Sequence, residues 1–322
     1  MIYLESLLGL LVCAMAALAL YTFAATRRVE AAMPPPGRFV EVPGARLHVV
    51  ERGSGPAVLL VHGLGGQWRN FDYGLVDLLA KRFRVVAVDR AGSGYSVRKG
   101  GAATLSAHAD ALSALIGKLA LGPAVIVGHS LGGAVALSLA ERHPGRVAGL
   151  ALIAPLTHYV ETVPPVFHGL MIRSPALRGL VAWTLAAPLV QLNTGKTLAA
   201  VFAPERPPAD FAERGGGRLS LRPSQFIASS ADLMALPDEL PAMPARYGAL
   251  RLPVHVLFGR GDEILDCREQ GEALIAKIPG ARLTLMDGGH MLPVTAPEET
   301  ARFIEEAAAE AFATASEAPA AS

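Results

Sequence analysis

Cysteine is nearly missing from this chain. There are two, Cys13 and Cys267, and the first lies in an uncharged apolar run near the N-terminus, so a disulfide framework is excluded. A surplus of charge is missing too: 29 Lys and Arg face 28 Asp and Glu, a net +1, which provides no field to attract nucleic acid. No His/Cys/Asp/Glu cluster with metal-ligand spacing, no phosphate-cradling glycine loop and no internal repeat is found, so neither a metal nor a cofactor is expected. Aromatic residues are 6% of the chain, whereas apolar residues are 52%. The apolar excess is in part concentrated in one place.

That place is residues 6–26, which carry no charge and are dominated by Leu, Ala, Val, Met and Phe. At ~1.5 Å per residue the run spans ~31 Å, the thickness of a bilayer's hydrocarbon core. A cleaved signal needs a basic segment before a shorter apolar stretch. Here Glu5 precedes the run and Arg27-Arg28 follows it. The expectation is therefore an uncleaved single-pass anchor with the rest of the chain on the cytoplasmic side.

Gly128-His129-Ser130-Leu131-Gly132 follows the apolar run 124–127 and precedes a small-residue helical stretch. A G-x-S-x-G between a strand and a helix describes a nucleophile elbow, in which a sharp turn lifts the serine hydroxyl clear of the sheet. A serine needs a base, and the base an orienting carboxylate. The strand-like run 253–258 ends in Gly259-Arg260-Gly261-Asp262, and the run 281–286 ends in Asp287-Gly288-Gly289-His290. Each candidate thus stands just past a strand, at the edge where open α/β sheets bind ligands. Glu263 and Asp266 compete with Asp262 for the acid's role. His62 and His129 read as orienting or structural residues, and His108 as a solvated or packed residue of a helix.

The order Ser130, Asp262, His290, together with the elbow, resembles the α/β-hydrolase superfamily over about residues 38–312. His62-Gly63-Leu64-Gly65-Gly66 is similar to the family's H-G-x-G oxyanion loop, and Asp89-Arg90-Ala91-Gly92-Ser93-Gly94-Tyr95-Ser96 to its D-x-x-G-x-G-x-S turn. Asp262 fits the family's G-x-x-D pattern, and its two rivals do not. The resemblance implies a catalytic triad of Ser130, Asp262 and His290, and an oxyanion hole made by the backbone N–H groups of Leu64 and Leu131. It implies an α/β fold: a mostly parallel sheet with helices on both faces and a helical cap insertion, here preceded by one transmembrane helix.

The expected organisation is an anchor at 1–28, a Pro-rich linker at 29–37 holding the enzyme off the bilayer, core at 38–155, a helical cap at 156–250, core again at 251–314, and a disordered tail at 315–322. Residues 38–52, with Pro43-Gly44 in the middle, read as an opening β-hairpin. In and beside the cap, Phe167, Trp183 and Met291 are the candidates for lining an apolar substrate site, although apolar cap residues also bury against a core by default.

An aspartate at the elbow would indicate a dehalogenase or an epoxide hydrolase, and Ser130 stands there instead. Carbon–carbon bond hydrolases of the family usually carry Trp after the histidine and Asn before the serine, where this chain has Met291 and His129. Monoacylglycerol lipases and carboxylesterases commonly show G-H-S-x-G. The resemblance thus implies hydrolysis of carboxylic esters with an apolar or lipidic acyl part, the partners being a small-molecule or lipid ester and the membrane. A thioesterase, a cofactor-free haloperoxidase or a C–C bond hydrolase would use the same triad, and a non-catalytic binding protein of this fold would have no use for it.

Overall fold

The computed structural model describes residues 2–317. After a long helix α1 (Ile2–Ala32), the order is β1 (Arg38–Val42), β2 (Ala45–Arg52), β3 (Ala57–Val61), α2 (Leu75–Leu79), β4 (Arg84–Val88), β5 (Val97–Arg98), α3 (Leu105–Lys118), β6 (Ala124–His129), α4 (Leu131–Arg142) and β7 (Val147–Ile153). The cap follows as α5 (Pro175–Trp183), α6 (Ala186–Phe202) and α7 (Pro223–Glu239). The chain returns through β8 (Val254–Gly259), short α8 (Ala273–Ile275), β9 (Arg282–Met286), short α9 (Leu292–Thr295) and α10 (Pro297–Glu317).

One sheet runs β1-β2-β4-β3-β6-β7-β8-β9, with β5 added beside β2. The opening hairpin is antiparallel, with Val42 opposite Ala45 across the turn at Pro43-Gly44. From β4 to β9 every pairing is parallel. Parallel strands are covered on both faces, which is why the strand sequences are apolar throughout instead of alternating. β3, β6 and β7 are buried at every residue. Their side chains divide by parity: Leu59, Val61 and Ile126 join one core with α3 and α4, whereas Val58, Leu60, Val125 and Val127 join another with α2 and α10.

Two boundaries differ from the sequence expectation. α1 continues through residues 29–32, and its end is packed on the body: Val29 and Met33 bury against Leu219, and Glu30 pairs with Arg222 at 3.1 Å. The proposed linker therefore shrinks to the prolines, and the body is not held away from the anchor. At the other end α10 runs to Glu317, with Ala307, Ala308 and Ala311 buried against the sheet, so residues 315–317 are helix; the rest of the expected tail, 318–322, lies outside the described residues.

Candidate active site

The register brings the sequence motifs together. Val61 is paired with Gly128, so the loop after β3 and the elbow after β6 leave the sheet side by side. Ser130 adopts φ 55°, ψ −123°, a region that costs a non-glycine residue of order 1–3 kcal/mol and persists only where the surroundings enforce it. They do so here: its N–H donates to the Ile153 carbonyl at 3.0 Å, and its carbonyl accepts from the N–H groups of Gly133 and Leu156. Gly132 has no alternative, because a Cβ there would stand 2.1 Å from the Val61 oxygen. A Cβ on Gly63 would come within 2.8 Å of Ser130 Cβ and 3.3 Å of its Oγ, which shows how closely the loop after β3 passes the serine.

On the neighbouring strands, Gly259 is opposite Met286, and the Gly261 N–H donates to the Gly288 carbonyl at 2.9 Å. The two loops are thus zipped together, and His290 Nδ1 stands 2.8 Å from Asp262 Oδ2. The other carboxylate oxygen, Oδ1, accepts from the N–H groups of Ile264 and Leu265 at 2.8 and 3.0 Å. Burial opposes ionisation of Asp262, but the His290 ring and those two N–H groups outweigh it and hold the carboxyl below the usual range. With Nδ1 donating to Asp262, the lone pair of His290 is on Nε2, where a base must carry it. The competing acids are elsewhere: Glu263 is exposed, and Asp266 caps the following turn through the N–H groups of Arg268 and Glu269.

His62 and His129 are supports. His129 Nε2 donates to the His290 carbonyl at 3.0 Å, its ring 5.0 Å from that of His290. His62 Nε2 accepts the Arg90 N–H at 2.9 Å. Burial lowers the pKa of both to about 3, so each is a neutral tautomer able to donate from one nitrogen and accept at the other. His108 is packed and not solvated, with Nε2 3.1 Å from Asp232.

Sequence reasoning missed Arg90, Gln225 and Asp232. Arg90 donates to the carbonyls of His62 and Gly63, each at 3.0 Å, gripping the loop after β3, and its other nitrogen meets Asp232 Oδ2 at 2.6 Å. Two turns earlier on α7, Gln225 Nε2 donates to Gly65 O at 3.0 Å and Gly66 O at 3.3 Å, while its Oε1 accepts the Gly94 N–H at 2.8 Å. Gln225 and Asp232 are buried and share one face of α7, so the cap helix holds the same loop as the core arginine. A Gln and an Asp seven apart, and so on one face of the helix, were the available signal. Gln225→Glu keeps the acceptor for Gly94 but points a carboxylate at two carbonyls. If the loop after β3 stabilises the transition state, kcat for an ester should fall about 10–100-fold with KM within about threefold, because displacing that loop would weaken transition-state binding selectively. Steady-state kinetics beside a melting curve checks it; a lowered Tm with unchanged kcat would make Gln225 merely structural.

The three apolar candidates for the substrate site are not brought together. Met291 is buried with Phe202, Phe211 and Val294, Phe167 is half-buried against the main core, and Trp183 is 45% exposed. Met291 packs with the cluster around Phe202, and Trp183 is turned outward because Arg178 and Ala182 take the inner face of α5. A cleft of about 760 Å³ opens beside Asp262, lined by His158, Tyr159, Ile264 and Gln270 among others, and none of the three lines it.

Residues 56–297 match the family described as alpha/beta hydrolase fold. An uncharacterized protein of Mycobacterium tuberculosis is 30% identical over 294 residues, which are 87% of this chain and 82% of the relative. Among solved structures, a thermophilic esterase from Thermogutta terrifontis aligns with TM-score 0.67 at 26% identity, over 84% of this chain and 97% of its own. A membrane phospholipase A, a bacterial virulence factor, aligns with TM-score 0.69 at 23% identity, over 98% of this chain and 97% of its own, a likeness of fold.

Proposed function

The chain belongs to the alpha/beta hydrolase family, and on that premise we propose that it is a membrane-anchored serine hydrolase of carboxylic esters with an apolar acyl part. The observation that carries the reading is the strained Ser130 beside the Gly63 loop, in a sheet whose next loops hold the hydrogen-bonded pair Asp262 and His290. The esterase likeness at 26% identity supports it.

In the proposed reaction Ser130 Oγ attacks the ester carbonyl as His290 Nε2 takes the hydroxyl proton, and Asp262 stabilises the imidazolium. The carbonyl oxygen, now negative, lies against the N–H groups of Leu64 and Leu131; the second is the first residue of α4, where a helix leaves N–H groups unpaired and carries positive partial charge. Collapse expels the alcohol, which leaves with the proton held by His290. Water then repeats the sequence on the acyl-enzyme and restores Ser130. A panel of p-nitrophenyl esters of increasing chain length, run beside monoacylglycerols, tests this. Turnover of esters rising with acyl length is expected; probe-reactive Ser130 without turnover of any of them would overturn the ester assignment.

Among the described residues one helix is long and apolar enough to cross a membrane, Tyr3–Ala32, and we read it as the anchor, with the catalytic body cytoplasmic because the exposed Arg27 and Arg28 follow the apolar run. Full-length protein is expected to stay in the membrane fraction through a carbonate wash, and protease added to sealed cells is expected to spare the body. Digestion from outside would reverse the orientation, and a mature protein beginning near residue ~25 would replace the anchor with a cleaved signal.

A further inference from the structure

The cap is inside out. α5 turns Leu177, Leu180 and Trp183 to the surface at 51%, 46% and 45% exposure, and buries Arg178, whose guanidinium donates to Ser230 Oγ at 2.9 Å and to the Ile172 carbonyl at 2.7 Å. In water a helix does the reverse. α6 continues the pattern: Leu185, Leu189 and Leu192 are exposed, and only Ala186, Ala187 and Phe202 are buried. An exposed apolar patch of this kind marks a partner surface.

The position of α1 identifies the partner. Thr22 and Ala25, on one face of α1, are buried; α1 packs against α5 and α6, and Tyr21 Oη donates to Gln191 Oε1 on α6. Tyr21 and Thr22 belong to the uncharged run that ends at Thr26. At ~1.5 Å per residue, α6 touches α1 ~9 Å deeper than Arg27, which is the depth to which interfacial amphipathic helices bury an apolar face. A body packed on the last turns of a bilayer-spanning run is itself at bilayer depth there.

We propose that the α5–α6 hairpin lies in the headgroup–acyl boundary of the leaflet on the body's side, with its leucines and Trp183 against lipid. This rests on the reading of α1 as the membrane helix, and it makes the leaflet the source from which an apolar ester reaches the cap. Tryptophan decides it without reference to activity. The chain has two, and Trp68 is buried at 2% exposure, so a lipid-borne quencher reports Trp183. Full-length protein is placed in phosphatidylcholine nanodiscs with ordinary or brominated acyl chains, with Trp183→Phe as the control that assigns the signal. Brominated lipid should remove roughly half the emission, one of two tryptophans being in contact with acyl chains, and aqueous iodide should remove little. Quenching by iodide and not by lipid would overturn the proposal in favour of a solvated cap. Protection from both would overturn it in favour of a second protein surface, such as another copy of this chain. A chain that does not enter discs or float with vesicles at all would instead overturn the anchor, a separate result.

Discussion

Ser130→Ala is expected to abolish labelling by a fluorophosphonate probe and to reduce ester turnover by about 10⁴-fold or more, the scale of triad knockouts. The argument is local. Ser130 is held at φ 55° by three backbone hydrogen bonds, none of which uses its side chain, so the alanine protein should fold with the elbow intact and lose only the nucleophile. His290→Ala should match it, and the double variant should be scarcely worse than either single one, since the members act as a unit. Labelling that survives in Ser130→Ala would place the nucleophile elsewhere and would remove the proposed mechanism entirely.

Asp262→Asn is expected to lower kcat by about 10⁴-fold, by analogy with the same change in other serine triads, while the fold survives. The structure supplies the reason. Oδ1 of Asp262 is fixed by two N–H donors, from Ile264 and Leu265. An asparagine would keep its oxygen there and so present its NH₂ to His290 Nδ1. The imidazole must then accept at Nδ1 and carry its proton on Nε2, the nitrogen that has to take the proton of Ser130. Glu263→Gln, at an exposed neighbour, should be mild; reversed phenotypes would move the acid by one position. Because the carboxyl of Asp262 is held below the usual range, it is still mostly ionised at a pH equal to the ordinary aspartate pKa of about 3.9. Any activity lost on acidification above that pH should therefore follow a group other than this carboxylate, and a pH–rate profile checks it.

The motifs of the candidate site were legible as turns and strands because each is a local necessity. The elbow needs Gly132, where any Cβ would strike the Val61 carbonyl, and the parallel strands need unbroken apolar runs because both of their faces are covered. Asp262 could be preferred to Glu263 and Asp266 only by likeness to a family; the geometry at His290 Nδ1 gives the physical ground.

The chain by itself determined which residues are candidates for serine chemistry, where the sheet's strands lie, and that one segment is long and apolar enough to cross a bilayer. Tertiary structure alone decided what holds these parts and which way they face. Gln225 meets Gly65 across 160 residues, and Asp232 meets Arg90 across 142, and no local periodicity encodes the choice of so distant a partner. The same holds for α5, whose Trp183 was read as a candidate for lining the site. Arg178 makes its hydrogen bonds to Ser230 and the Ile172 carbonyl in the interior, partners far along or outside the helix, and α5 accordingly turns Arg178 inward and its leucines outward. α1 ran past its expected end for a similar reason: Val29 and Met33 had Leu219 to cover, a contact supplied by a residue far along the chain.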